Sequence, residues 1–328
     1  MPRLSIIIPV LSSAQRLEST LVSVLANRPR DCEIVVTLNQ PYDDPYDLKD
    51  EVRFVHVPES SGLVDSLNAG IEASRSSIVH LLSAGFEVSE GWTDGIWKHF
   101  RDPRVASVAP LLIDALDSHQ VLAAGLEYAH QTRVVRTPSK LDSLDEPTEI
   151  LGPLAQAGFY RRSALELVGG LPSAVGDSLA DVDLALTLSY AGYCCVLEPT
   201  CQVQASATDF LPDGRSSFLN GLAAERLFWR TVPVVGWGKS ILVHPWSVLG
   251  EFVMNLPRPK SVLRLLGRAL GCCQIGNYRA HHQWLQDVQR AGAALLRAGR
   301  PMHIRIDSTH PAVSSSHDNV ETAVRTHG

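Results

Sequence analysis

The chain of 328 residues is long enough to bury a sizeable core, and its composition, 45% hydrophobic and 20% charged, is that of a globular protein. Its formal net charge of -6 argues against nucleic acid as the main partner, because affinity for a polyanion depends on clustered lysines and arginines. We therefore expect small-molecule or protein partners.

The cysteines are interpreted as reduced core thiols of a cytoplasmic protein, and none of them has the C-x-x-C spacing of a metal site. They lie at positions 32, 194, 195, 201, 272 and 273. The adjacent His281 and His282 would point about 100° apart on a helix, so they do not predict a metal site either. The apolar region 232–256 carries charges and a proline, which disfavours a membrane span. It either packs on the core or makes peripheral contact with a membrane surface.

The first half of the chain alternates apolar runs with helical periodicity, the pattern of a parallel sheet wrapped by crossover helices. Strands are predicted at Leu4–Pro9, Glu33–Leu38, Arg53–Val57, Ile78–Leu82 and Val105–Ile113. Between them, apolar residues at helical spacing predict a helix with Leu17, Leu21, Val24 and Leu25, a helix with Leu63, Leu67 and Ile71, and a helix with Trp92, Ile96 and Phe100.

The second half of the chain lacks this regular alternation of strands and helices. The polar segment Thr137–Glu149 predicts a loop or flap beside a substrate. Helices are predicted at Ser163–Val168 and from Leu179 to Ala191, and mostly helices from Asn220 onward. The sequence thus predicts an α/β domain over residues 1–219, a C-terminal helical extension over 220–299 and a disordered tail over 300–328.

Several segments occur in a characteristic order. Leu4–Val10 forms a strand that contains Pro9, and Ser61–Leu63 is followed by Asn68–Ile71. The region Gly158–Pro199 contains a Tyr-Arg-Arg-Ser-Ala-Leu run, a Val-Gly-Gly turn and an Asp-Val-Asp-Leu run. Together these resemble the family 2 glycosyltransferases, over about residues 4–235. The resemblance implies the GT-A fold, a mixed, mainly parallel sheet with flanking helices.

The resemblance also implies an activity: inverting transfer of a sugar from a nucleoside-diphosphate sugar to a hydroxyl of a polysaccharide, glycolipid or protein. In such a reaction a carboxylate removes the proton of the acceptor hydroxyl. Asp181 corresponds to this base. Its other interpretation is a capping box with Ser178 at the start of a helix. Asp183 is expected to be structural.

The resemblance places donor and nucleotide binding at Pro9, Asn39, Asn68 and Ser83. The second strand of the family commonly ends in an acidic residue that binds the base or ribose, and Asn39 stands there. Asn39 is equally interpretable as a turn residue before Pro41.

A divalent cation, manganese or magnesium, is the cofactor expected of the family. Its ligands would follow the fourth strand and the last core strand, but Ser83, Gly85 and Ala205 offer no charged oxygen or imidazole there. If the donor binds, its pyrophosphate would then be neutralised without metal, and Arg161 and Arg162 are the candidates. Their other interpretation is a solvated pair at a helix start.

Two hypotheses remain open beside the transferase. The first is a catalytically inactive relative that binds a sugar, nucleotide or partner protein. A dinucleotide-dependent oxidoreductase is the second, although Val10-Leu11-Ser12-Ser13 stands where a G-x-G-x-x-G motif would follow the first strand.

Overall fold

A computed structural model describes residues 2–11, 14–129, 132–138, 146–210, 217–254 and 259–298. The strands are β1 (Leu4–Val10), β2 (Cys32–Leu38), β3 (Val52–His56), β4 (Ile78–Leu81), β5 (Glu87–Val88), β6 (Val105–Asp114), β7 (Val121–Ala123), β8 (Leu126–Ala129), β9 (Thr132–Val135), β10 (Thr148–Ile150), β11 (Phe159–Arg161) and β12 (Cys194–Ala205). The helices are α1 (Ala14–Ala26), α2 (Leu63–Ala73), α3 (Ile96–His99), α4 (Arg162–Val168), α5 (Ala180–Tyr190), α6 (Ser217–Val235), α7 (Trp237–Met254), α8 (Pro259–Cys272) and α9 (Ile275–Ala298).

Most strands form one mixed sheet, whose main path runs β10-β12-β6-β11-β4-β1-β2-β3. Strands β3, β2, β1 and β4 are parallel to one another. Strand β11 lies antiparallel between β4 and β6, so β4 and β6 run in the same direction, and β12 is parallel to β6. The carboxyl ends of β1, β2, β4, β6 and β12 therefore meet at one side of the sheet, here called the carboxyl edge.

The core covers both faces of this sheet, as expected for a parallel sheet between helices. Successive residues of β1 point to opposite faces: Ile6 and Ile8 pack with α1, whereas Ile7 packs with α2, α4 and α5. This alternation explains why every residue of the strand is buried and why all of them except Ser5 are apolar. The predicted fold class is confirmed.

The predicted strands and helices of the first half are present, with two differences. The helix expected around Trp92 is only the short α3, and Trp92 itself is buried beside the ring of His80, 4.9 Å away. In the expected loop 137–149, Thr148 begins the edge strand β10, which pairs with β12. Residues 139–145 lie outside the described part.

The C-terminal helices pack closely on the sheet domain. Val288 and Leu295 of α9 belong to the same buried cluster as Ile7. Gly292 permits this approach, because a Cβ there would lie 2.5 Å from the carbonyl oxygen of Ala191. The division at residue 219 stays a prediction, and the tail 300–328 lies outside the described residues.

Candidate active site

Asp181 lies in the first turn of α5 and is only 3% exposed. Arg133 of β9 meets its carboxylate with two bonds, from Nε to Oδ1 at 2.9 Å and from Nη2 to Oδ2 at 2.7 Å. The main-chain N–H of Val182 also donates to Oδ1, at 2.8 Å. Such a bidentate pair fixes the orientation of the carboxylate. The capping interpretation is wrong, because Leu179 is the N-cap of α5 and no side chain caps this helix.

Tyr160 of β11 adds a second buried polar group near this carboxylate. It is 1% exposed, and its hydroxyl has no hydrogen-bond partner within the described residues. Burial raises the pKa of Tyr160 well above its usual 10, and the charge of Asp181 raises it further. The hydroxyl is therefore a proton donor throughout the physiological pH range, and it can orient an oxygen atom of a bound molecule.

Asp183 serves a different purpose, although it is only two residues from Asp181. Its Oδ2 accepts hydrogen bonds at 2.8 Å from both Nε and Nη2 of Arg230 on α6. Both side chains are buried. The pair ties α5 to α6, in agreement with the expected structural role.

The structure brings Pro9, Asn39 and Ser83 together at the carboxyl edge. Pro9 is opposite Thr37 near the ends of β1 and β2, Asn39 directly follows β2, and Ser83 follows β4. The main-chain N–H of Ser83 donates to the carbonyl of Gln156 at 2.8 Å. The side-chain oxygen of Asn39 is buried without a hydrogen-bond partner among the described residues. Such an orphaned acceptor at the edge suits a ligand donor, which supports a polar role for Asn39.

Asn68 does not reach this edge. Its Nδ2 donates to the carbonyl oxygen of Leu171 at 2.9 Å, and its Oδ1 accepts from the N–H of the same residue at 2.8 Å. Both ends of the amide are thus committed to the main chain. The prediction of a donor-binding role for Asn68 is corrected to a structural one, linking α2 to the turn after α4.

Arg161 and Arg162 lie at the edge of the sheet opposite the carboxyl edge, so they are far from the expected place of a pyrophosphate. Because β11 is antiparallel to β4, Arg161 is opposite Ile78, at the start of β4, and away from the carboxyl edge. Arg161 donates to three main-chain carbonyls, and Arg162 donates to the carbonyls of Ser76 and Ile71. Burial lowers the pKa of both guanidinium groups. The expected donor-binding role is therefore corrected: these arginines bind main-chain carbonyls.

The positions expected to hold a metal ion do not fit one. Ser83 is neutral, and Gly85 has a φ of +97°, a conformation that favours glycine. A Cβ at Gly85 would lie only 2.5 Å from Nε of Arg16, so a guanidinium already stands beside the loop. Ala205 pairs with Asp114 at the ends of β12 and β6. In the described part of the chain, no three His, Cys, Asp or Glu side chains are grouped to bind a metal ion.

Sequence reasoning missed Arg133 and Arg16, and it assigned no role to Tyr160. Tyr160 was visible within a family-like motif. The sequence around each arginine does not indicate its role, because each arginine contacts a residue from a distant segment of the chain.

Two solved structures share this mainly parallel sheet fold. GalNAc-T7, solved with UDP, GalNAc and Mn²⁺, superposes with a TM-score of 0.57 at 16% identity, covering 75% of this chain and 51% of that one. TarS 1–349 of S. aureus superposes with a TM-score of 0.55 at 11% identity, covering 91% and 92%. At these identities the similarity establishes the fold alone.

The sequence profile of glycosyl transferase family 2 matches residues 5–169, half of the chain, and the protein therefore belongs to this family. It is 26% identical over 288 residues to the pre-mycofactocin glycosyltransferase of Mycobacterium tuberculosis, covering 82% of this chain. The chain spans 58% of that relative's length. The probable polypeptide N-acetylgalactosaminyltransferase 8 of Homo sapiens is 25% identical over 153 residues, 43% of this chain and 24% of its own. Family membership favours a transferase over the oxidoreductase hypothesis.

Proposed function

We propose that this protein transfers a sugar from a nucleoside-diphosphate sugar to an acceptor hydroxyl, with inversion and without a metal ion bound by the protein. Asp181 is the base of this reaction: its carboxylate removes the hydroxyl proton as the hydroxyl oxygen attacks the anomeric carbon and the nucleoside diphosphate leaves. Family membership supports the transfer, and the neutral residues Ser83 and Gly85 support metal independence.

The observation that carries the proposal is the buried carboxylate of Asp181, held by Arg133, near the hydroxyl of Tyr160, which has no hydrogen-bond partner among the described residues. A base must touch the proton it removes, at about 2.6–3.2 Å between heavy atoms. Because Arg133 contacts both carboxylate oxygens, the acceptor hydroxyl has either to use a lone pair that Arg133 leaves open or to displace one of its bonds.

The same ion pair favours the second candidate function. A carboxylate held by Arg133 at both oxygens is also what a catalytically inactive relative would contain, one that binds a nucleotide or sugar as a scaffold. The two candidates differ in turnover, not in ligand binding.

Ligand binding is tested by thermal unfolding with UDP, GDP, UDP-sugars and GDP-mannose, each with EDTA or manganese. A ligand that binds only the native state raises Tm. We expect a rise with one nucleotide series that is the same in EDTA and in manganese. A rise that requires manganese would contradict metal independence, and no rise with any nucleotide would contradict the donor class.

Turnover is tested by release of the nucleoside diphosphate from the sugar donor that binds. Asp181→Asn should reduce the rate by about 10²- to 10⁴-fold, the usual contribution of a general base, while donor affinity stays within twofold. Asp183→Asn is the matched control, since it removes the same charge from the same helix but lies outside the proposed site. Undetectable release by the wild type, despite donor binding, would favour the inactive relative.

The acceptor is proposed as a hydroxyl on a polysaccharide, glycolipid or protein, in keeping with a role in building the cell envelope. All six cysteines are free thiols, which supports a cytoplasmic location. The expected core position holds for Cys195 and Cys201 but is wrong for Cys272 and Cys273, which are exposed. None of the described helices is both long enough and apolar enough to cross a bilayer.

We also propose peripheral contact with a membrane surface, extending the predicted region 232–256 to α8. Helix α8 packs on α6 through glycines: a Cβ at Gly221 or Gly267 would meet main-chain oxygen of the other helix at 2.0 Å. This close packing leaves the larger side chains of α8 outside. With α7 they form an exposed apolar face: Leu242, Val243, Trp246, Leu249, Val253, Val262, Leu263, Leu265, Leu266 and Leu270.

A face of this size is uncommon on a soluble monomer, and Leu242 and Trp246 are 74% and 73% exposed. Co-sedimentation with vesicles of phosphatidylcholine and phosphatidylglycerol tests it. Leu242→Ser with Trp246→Ser should reduce the bound fraction several-fold, whereas Val22→Ser, at another exposed valine, should not. Equal binding of all three proteins would refute this contact.

A further inference from the structure

Helix α1 is joined to the loop that follows β4. The N–H of Gly85 lies 3.0 Å from the carbonyl oxygen of Arg16 and 2.8 Å from the hydroxyl oxygen of Thr20. The same hydroxyl donates to the carbonyl of Phe86 at 2.8 Å. These bonds hold the first turn of α1 against the loop, so the position of Arg16 along the edge is determined by the main chain.

The guanidinium of Arg16 lies over Gly85. A Cβ built on this glycine would be 2.5 Å from Nε, 2.8 Å from Nη2 and 3.0 Å from Cζ. Because Gly85 also has a φ of +97°, the backbone conformation disfavours any other residue at this position. A side chain at position 85 would also have to displace the guanidinium of Arg16. The loop therefore holds a cation at the position where a metal ligand was expected.

The positive charge of Arg16 lies near uncharged residues of the carboxyl edge. Pro9, Asn39 and Ser83, at the ends of adjacent strands, are uncharged. A departing nucleoside diphosphate accumulates negative charge, which needs a cation or oriented donors for stabilisation. A guanidinium offers both, because its planar fork binds two phosphate oxygens at once. Arg16 is exposed at the surface, where a ligand can reach it.

We propose that Arg16 binds the diphosphate of the sugar donor at the position where relatives would place a divalent ion. This inference rests on the proposed function, since it assumes a nucleoside-diphosphate donor. Arg16 then assumes the role expected of Arg161 and Arg162 from the sequence. The bond from the anomeric carbon to the diphosphate breaks with its electron pair moving onto the phosphate oxygen, and Arg16 stabilises that charge.

The test compares affinities by calorimetry in EDTA, with the nucleoside diphosphate that binds and with its nucleoside, which lacks phosphate. Arg16→Gln should weaken diphosphate binding about 10- to 100-fold, the value of a charged hydrogen bond, and leave nucleoside binding within twofold. Arg16→Lys should lie in between, because a point charge lacks the fork. The control is Arg30→Gln, which removes an exposed arginine between α1 and β2, near the other edge of the sheet.

A second variant moves the guanidinium without removing it. Gly85→Ala places a methyl group against Nε of Arg16 and should weaken diphosphate binding while sparing nucleoside binding. Unchanged diphosphate affinity in Arg16→Gln overturns the assignment but leaves the proposed function intact, as does equal loss of nucleoside and diphosphate affinity. Absence of any nucleotide binding by the wild type overturns both.

Discussion

The surroundings of Asp181 and the carboxyl edge near Gly85 differ in how charge is arranged. At Asp181 a carboxylate is buried and bonded to Arg133 at both oxygens. At the edge, Asn39 and Ser83 are neutral, and the exposed Arg16 places its guanidinium beside Gly85. In the proposed reaction the base and the cation at the leaving group act on different atoms, so one half of such a site can change while the other half is kept.

The largest effect should come from breaking the buried ion pair. Arg133→Met leaves the Asp181 carboxylate buried without its counter-charge, and it should lower the free energy of unfolding by about 3–5 kcal/mol. Chemical denaturation measures this value. The double variant with Asp181→Leu should recover most of the loss, because no isolated charge remains.

Arg136→Met is the control for this experiment, since Arg136 belongs to the same hairpin region but pairs with Glu127 at the surface. Its cost should be at most about 1 kcal/mol. An equal loss of unfolding free energy in Arg133→Met and Arg136→Met would contradict the expectation that the buried ion pair contributes more to stability than the exposed one.

A smaller effect concerns the buried His80 of β4. Its ring is buried and stacks on Phe159, with centroids 3.8 Å apart. Burial lowers the pKa of His80 to about 3. Between this value and the unfolded value near 6.5, the unfolded chain binds a proton that the folded protein does not, so stability falls as pH falls. From pH 6.5 to pH 5 the loss should be about 2 kcal/mol.

Denaturation curves at pH 7.5, 6.5 and 5 measure this slope. His80→Phe should flatten it regardless of its own effect on stability, whereas His56→Gln, at an exposed histidine, should leave it unchanged. The buried Glu198 and Glu225 do not interfere in this range: burial opposes their charged forms, but hydrogen bonds outweigh it and lower each pKa to about 2. A slope that persists in His80→Phe would contradict a neutral buried ring.

The smallest effect should be at Asn39. If its buried oxygen accepts a bond from the nucleoside, Asn39→Ala should weaken nucleoside binding by about 0.5–1.5 kcal/mol, roughly 2- to 10-fold. Calorimetry with the nucleoside alone separates this contribution from that of Arg16. The neighbouring, exposed Gln40→Ala should have no effect. Unchanged affinity in Asn39→Ala would restrict Asn39 to its role in the turn.

The strands and the crossover helices could be predicted from the sequence, because hydrophobic periodicity reports which residues of an element face the core. The ordering of family-like motifs also predicted the fold class. The structure places Pro9, Asn39 and Ser83 at one edge of the sheet, since parallel strands align their carboxyl ends, and their role in donor binding stays a prediction. Asn68, Arg161 and Arg162 bond instead to main-chain groups of distant segments, whose position the local pattern does not report.

What the sequence by itself determined is therefore the sheet, its family and the absence of carboxylates at Ser83 and Gly85, all of which are properties of local segments. Only the tertiary structure decided which charges meet. Strand β11 runs antiparallel and places Arg161 away from the carboxyl edge. The fold also brings Arg133 to Asp181 and Arg16 to Gly85. The physical reason is that ion pairing depends on distance in space, and side chains from distant segments become neighbours only when the chain folds.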